Sequence, residues 1–310
     1  MKKNTENTDV QFKSTKIKMD GNTMLVKGVS YFCVTFFALI CLLPFIMIIS
    51  AAFSTESIIW EKGFGLLPRG FTLEAFAWVL RYPKMILGSY GVTVIMTVCG
   101  TALGLFIIAM TGYTLQRKDF PFRNALSFFI YFTTLFSAGM APTFIWVSQY
   151  LHLRGSYFAV FLQLLMTPWL IILMKNFAKS IPFEITESGK IDGANDFTIF
   201  IRLVLPMLVP ALATVGLFLA LGYWNEWYLS SLYLGSTVEF KPLQYYLYGI
   251  INEANSLQSS VAGANVTIAQ LPTNTLKMAT AVVATGPIIF LYPFVQRFFI
   301  TGLTVGAVKG

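Results

Sequence analysis

Four carboxylates crowd one polar segment of an otherwise apolar chain: Glu184, Glu187, Asp192 and Asp196, all between Asn176 and Leu203. Carboxylates at this density suit a protein surface that offers arginines, through charge-assisted hydrogen bonds. Anionic lipid heads would repel them, although an amphipathic hairpin lying on the membrane surface is the alternative reading. The other reactive side chains are scattered. His152 is the only histidine and reads as a loop residue. Cys33, Cys41 and Cys99 sit in apolar runs without CxxC spacing, so neither a zinc site nor a disulfide framework is expected. No glycine-rich phosphate loop is present, so the chain is not expected to hold a nucleotide. Clustered catalytic residues are also missing, which points away from an enzyme.

The elements that must position these carboxylates follow from the spacing. Ile181-Pro182 opens a helix in which Phe183, Ile185, Ile191 and Ala194 alternate with Glu184, Glu187 and Lys190. Asp192-Gly193 is a turn signal, with glycine free to adopt positive φ. A second helical run passes Phe197, Phe200 and Ile201 and reaches Leu205-Pro206. Asp192 is expected to cap that second helix through its free N–H groups. The result is a helical hairpin over 181–203, flat beneath a membrane.

Composition supplies the membrane. Of 310 residues 56% are hydrophobic and 12% charged, against about 25% charged in an ordinary soluble domain. Six stretches meet the length of about 20 apolar residues needed to cross hydrocarbon: Val29–Phe53, Gly88–Leu115, Asn124–Val147, Tyr157–Lys175, Val204–Ser230 and Leu276–Ile300. The 1–28 tail is too long and polar to start a cleaved signal peptide, so the 29–53 span is read as uncleaved. With the N-terminus inside, fifteen of the 22 Lys and Arg fall on the inner side and seven on the outer. This bias puts both termini, including the 301–310 tail, in the cytoplasm. The net charge of +8 then reads as topology and attraction to membrane lipid, not nucleic-acid binding.

Few charges enter the spans. Lys175, Lys277 and Arg297 lie at span ends, and Glu226 stands near the outer end of the fifth. Ion-coupled carriers usually carry ionisable residues deep in the membrane, so this scarcity argues against one. Around Glu226 lie Tyr223, Trp224, Asn225 and Trp227. Aromatic faces with polar neighbours suit a sugar, and an interfacial Trp/Tyr belt is the alternative. The outer segment Ser231–Thr275, with Tyr245, Tyr246 and Tyr248, is long enough to carry function. Gly286-Pro287 and Pro293 should interrupt the sixth span.

At Glu187-Ser188-Gly189, Asp192-Gly193-Ala194 and Leu205-Pro206 the chain resembles the "EAA" loop of ABC-importer permeases, with unbroken spacing from Glu187 to Pro206. It departs only in having Ser188-Gly189 where the family has Ala-Ala. Residues 191–197, the Tyr223–Trp227 cluster, and the ending Tyr292-Pro293-Phe294-Val295-Gln296-Arg297 through Val308-Lys309-Gly310 are similar to carbohydrate-importer permeases of the maltose-permease type. Within these the sequence resembles above all oligosaccharide permeases of Gram-positive bacteria. The resemblance implies an all-α polytopic fold with six transmembrane helices: a type I (MetI-like) core over 88–300, plus the added first helix. It implies half of a translocation path in a bacterial plasma membrane, with no cofactor in this chain. The expected partners are a second homologous permease, two cytoplasmic ATPase subunits that bind ATP and Mg, and an extracellular or periplasmic sugar-binding protein. Glu187, Ser188, Gly189, Asp192, Gly193, Ala194 and Pro206 become coupling candidates, and the 302–310 tail a further ATPase contact. Tyr223, Trp224, Asn225, Glu226 and Trp227 become candidates for the substrate path. A permease for a non-sugar solute shares the hairpin and stays open.

Overall fold

The computed structural model describes residues 21–262 and 272–289. The chain divides into two units, one up to Met47 and one from Ile48 onward. The first holds most of α1 (Gly21–Ala52), whose side chains from Met24 to Ile46 are all exposed. An apolar helix without a polar face suits lipid rather than water.

The second unit is organised around α4 (Pro83–Gln116), about 51 Å long at the α-helical rise. Two short helices precede it, α2 (Glu56–Lys62) and α3 (Glu74–Val79). After it come α5 (Arg123–Leu135), α6 (Met140–Ile145) with a widened π turn over Trp146–Tyr150, α7 (Tyr157–Leu165) and α8 (Pro168–Ala178). Next are α9 (Glu184–Ile191), α10 (Asp196–Ile199), a π turn over Phe200–Val204 and α11 (Leu205–Met207). The last are α12 (Val209–Trp224), α13 (Tyr228–Tyr233), α14 (Leu243–Ala262) and α15 over 273–289. Among the described residues the only extended pairing is one bridge, Ser54 to Phe71. The fold is all-α.

α4 packs chiefly on α8 and α12, and a separate apolar cluster gathers at each of its ends. At the Gln116 end Ile108, Tyr113 and Leu115 meet Met174, Ile199, Phe200 and Val215. At the Pro83 end Ile86 meets Ala75, Val79, Trp224, Leu243 and Leu276. These two ends hold the two candidate sites.

Three stretches are long and apolar enough to cross a membrane alone, 24–52, 83–116 and 157–178, matching the first, second and fourth expected spans. The other expectations need revision. The third span is bent by 113° between α5 and α6. Gly139 sits there at φ +85, and its N–H donates to Ser137 Oγ. The fifth is bent by 85° at Leu208, between Pro206 and Pro210. Hydropathy sums apolarity without sensing direction, so both bends hide inside apolar runs. Counting each bent pair as one span gives up to five among the described residues. The sixth begins at 273 as α15. Its continuation over 290–300 lies outside the described residues, as do Pro293, the Tyr292–Arg297 motif, the 301–310 tail and residues 1–20. The described part of the Ser231–Thr275 segment is mainly helical, because α13 and α14 occupy much of it.

Candidate functional site

The hairpin turns through a Schellman closure. Gly193 N–H donates to the Lys190 carbonyl (3.0 Å) and Ala194 N–H to that of Gly189 (2.9 Å). Gly193 takes φ +78, which glycine reaches without the Cβ clash of other residues. Asp192 ends α9 and does not cap α10, contrary to expectation. The N-cap is Asn195, whose Oδ1 accepts the Thr198 N–H at 2.8 Å. The cap must stand immediately before the first helical residue, and Asp192 comes three residues too early.

One face of α9 is fixed to the bundle. Thr186 Oγ1 and the Tyr113 hydroxyl share a buried 2.9 Å hydrogen bond, and the Tyr113 ring stacks on Phe200 at 5.8 Å. Gly189 is buried, and a Cβ there would lie 2.9 Å from Ile199 Cγ1. Its small size therefore lets α9 lie against α10. The opposite face is open. Glu184, Glu187, Ser188 and Asp192 are exposed, Ile191 is 85% exposed and Phe197 on the second arm 59%. Pro206 stands in the first turn of α11 and cannot donate to a carbonyl four residues back. The helix widens into the π turn just before it.

A charge network ties both arms to α4. Arg117, just past the end of α4 and only 8% exposed, donates from Nη1 to Asp196 (2.7 Å) and from Nε to Asp119 (2.9 Å). It makes a second ion pair with Asp119 through Nη2. Lys190 reaches Asp119 at 2.9 Å and Asp196 at 3.9 Å. The hydrogen bond from Arg117, followed by that from Lys190, holds the Asp119 carboxyl well below the usual carboxylate range against the opposing effect of burial. Hydrogen bonding to Asp119 and then Asp196 pushes Arg117 up, again against burial. Arg117 and Asp119 therefore stay charged near neutrality. Asp196 is engaged inwardly, which leaves Glu184, Glu187 and Asp192 facing out. In the sequence Arg117 had registered only as one more inner-face cation.

The five aromatic and polar residues that end α12 and follow it separate into two sets. Tyr223 is 2% exposed, donates to the Phe161 carbonyl (2.8 Å) and lies over α4 where Gly100 leaves room. Trp224 is 6% exposed and its Nε1 donates to the Ala284 carbonyl (3.1 Å). Glu226 is buried and accepts from the Ser230 N–H (3.0 Å), the Leu229 N–H and the Ser230 hydroxyl, which fixes the start of α13. Asn225 and Trp227 are exposed. Trp227 packs on Tyr248 at 4.5 Å, and both line a cavity of about 250 Å³ with Gln244, Lys277 and Thr280.

A buried acid that sequence reasoning passed over lies at the same end. Glu56 accepts from the N–H groups of Asn274 (3.0 Å) and Thr275 (2.8 Å), the Thr275 hydroxyl (2.9 Å) and Trp60 Nε1 (3.1 Å). It caps α15 from 219 residues away in the chain. Among the described residues no group of three or more His, Cys, Asp or Glu could hold a metal ion.

Residues 100–305 match the model of the binding-protein-dependent transport system inner membrane component. The chain belongs to this family. It is therefore a membrane-embedded permease subunit of an ABC importer, a transport component rather than an enzyme, and the family works with a partner ATPase and a binding protein. The permease is 40% identical over 88% of its length to the polygalacturonan/rhamnogalacturonan transport system permease protein YtcP of Bacillus subtilis, covering 94% of that protein. It is 37% identical over 87% of its length to protein LplC of the same organism, covering 90% of it. Among solved structures it is similar to a chain of a bacterial ABC transporter involved in the import of the acidic polysaccharide alginate. There the TM-score is 0.74 and the identity 31%, over 90% of this permease and 98% of that chain.

Proposed function

We propose that this permease forms half of the translocation path of an ATP-driven importer for oligosaccharides, with 181–203 as its coupling hairpin. The observation that carries the reading is the two-faced α9. Thr186 and Gly189 are bound into the bundle, while Glu187, Ser188, Asp192 and a largely exposed Ile191 face outward. An exposed apolar side chain ringed by carboxylates suits a covered protein contact better than open water. On this reading the hairpin docks on one of two cytoplasmic ATPase subunits, which bind ATP and Mg. Glu187 pairs with a basic group there, and the rigid turn at Gly193-Ala194 transmits the movement to α11 at Pro206 and on to α12. Both termini lie in the cytoplasm, and a second homologous permease supplies the other half of the path.

The carbohydrate assignment is supported by relatives named for polygalacturonan and alginate transport. Among the path candidates, the exposure of Asn225 and Trp227 supports them as the ones that meet a solute, with Gln244 beside Asn225 and Tyr248 beside Trp227. Tyr223, Trp224 and Glu226 would support that surface from behind. A binding protein on the outer side delivers the sugar. In proteoliposomes holding the complete importer, oligosaccharide should stimulate both ATP hydrolysis and uptake. Glu187→Lys should keep assembly but make ATP hydrolysis independent of sugar. Stimulation by amino acids alone, or normal uptake by Glu187→Lys, would overturn the reading.

A further inference from the structure

A second cavity, of about 340 Å³, opens at the Pro83 end of α4, away from the Trp227 cavity. Its walls come from the end of α3, the start of α4, α14 and α15. The residues that matter are Trp78, Arg81, Tyr82, Lys241, Tyr245 and Glu253. The volume falls in the range of small-ligand sites, and its chemistry is unusual for a helix junction. The Arg81 guanidinium lies over the Trp78 ring at 5.1 Å and the Tyr82 ring at 5.7 Å, and Lys241 Nζ lies over Tyr245 at 5.0 Å.

Such cation–π contacts fix a cation in place but leave its positive charge and its N–H donors unneutralised. Among the described residues neither Arg81 nor Lys241 forms an ion pair. The adjacent Lys84 is matched by Glu239 at 3.2 Å. Glu253 lines the same cavity without pairing to either cation, so its oxygens stay available as acceptors.

We infer that this cavity binds one carboxylated sugar unit, a uronate, of an oligosaccharide on its way to the path. Arg81 and Lys241 receive the carboxylate, Arg81 through paired N–H donors. Glu253 accepts from ring hydroxyls, and the aromatic walls cover the apolar face of the ring. A neutral sugar would leave both cations uncompensated, so the site discriminates by charge. The inference rests on the oligosaccharide-importer reading and deepens it.

The test uses the permease pair with its ATPases in nanodiscs, without the binding protein, so that only sites on the membrane complex report. Calorimetric titration with a galacturonate trimer and with its carboxyl-reduced counterpart should show tighter binding of the acid. Arg81→Gln with Lys241→Gln should weaken the acid trimer about tenfold or more and change the reduced trimer by less than about twofold. Raising salt from about 50 to about 500 mM should weaken only the acid trimer, and this readout holds even where the double variant does not assemble. Equal weakening of both trimers, no weakening, or acid binding that ignores salt overturns the site. Uptake by the complete importer keeps the two readings apart. If the wild type moves no oligosaccharide, the importer reading falls and the site with it. If uptake persists while the double variant binds the acid normally, only the site falls.

Discussion

A carboxylate organises the structure near each end of α4, but by opposite physical means. At the hairpin end Arg117 and Lys190 alternate with Asp119 and Asp196 in an ionic network that is open to water, the Asp196 side chain being 62% exposed. At the other end Glu56 is 4% exposed and, among the described residues, meets no cation. Its oxygens are satisfied by two backbone N–H groups, a hydroxyl and an indole. A part-hydrated ion pair costs little to break, because water replaces the lost partner. A buried carboxylate that caps a helix has no such substitute, and opening it strands several donors at once. Under the proposed coupling role the hairpin end shifts as a unit while the Glu56 end stays fixed.

The largest expected effect comes from the fixed end. Glu56→Ala leaves the Asn274 and Thr275 N–H groups without an acceptor in a buried place, and should destabilise the protein by about 3 kcal/mol. Thermal unfolding of the assembled importer should show it, with little change in transport per ATP in the fraction that remains folded. Glu56→Gln, which keeps one acceptor oxygen, should lose about half as much. An unfolding temperature unchanged by Glu56→Ala would remove the distinction between the two ends.

Next in size is Arg117→Met, which keeps the aliphatic bulk beside Tyr113 but removes the cation. Asp119 and Asp196 can then hydrate, so the expected cost is only about 1–2 kcal/mol. The diagnostic outcome is functional. Assembly should persist while uptake per ATP hydrolysed falls several-fold, because the hairpin no longer moves with α4. Loss of stability without loss of coupling would make this end a frame like the other.

These two residues also show what the sequence could disclose. The hairpin was legible because its signals are local: Glu187, Asp192-Gly193 and Leu205-Pro206 fall within twenty positions, and helix, turn and helix each leave a short-range pattern. Arg117 joins it from 79 positions away, and in a charge count it is indistinguishable from Lys118 or Arg123. Glu56 has its partners 218 and 219 positions on, where no periodicity reaches. The Tyr223–Trp227 run was visible as a cluster, but which rings face inward depends on where α12 ends and α13 begins. That is set by the Glu226 cap and by the space above Gly100. The bends at Gly139 and Leu208 were written in glycine and proline, but the apolar runs around them outweighed those signals.

A smaller prediction follows from the charge states. Asp119 is lowered from an ordinary value of 3.8. Its contribution is therefore complete above that value and is lost only as pH falls through the still lower folded value. Arg117 is raised further above the already high range of a free guanidinium, so its share is complete below that range and is lost only in stronger alkali. Between about pH 5 and pH 10 the Arg117–Asp119 pair should not titrate. Hydrogen exchange over 184–199, corrected for intrinsic rate, should stay level across that window. A step near neutrality would mean that some other group controls the hairpin.

The smallest effect tests the departure from the Ala-Ala pattern at Ser188-Gly189. Alanine at 189 favours α9 by about 1 kcal/mol, but its Cβ would press on Ile199 Cγ1 at 2.9 Å. Ile199 is fully buried, so the contact cannot relax outward, and overpacking costs about 1–3 kcal/mol. Gly189→Ala should thus be destabilising by about 0–2 kcal/mol, the two effects partly cancelling. Ile199→Val makes room at the contact. The double variant should therefore be more stable than the sum of the single changes by about 0.5 kcal/mol, a coupling that a double-mutant cycle resolves. Strict additivity would mean that α9 does not rest on Ile199.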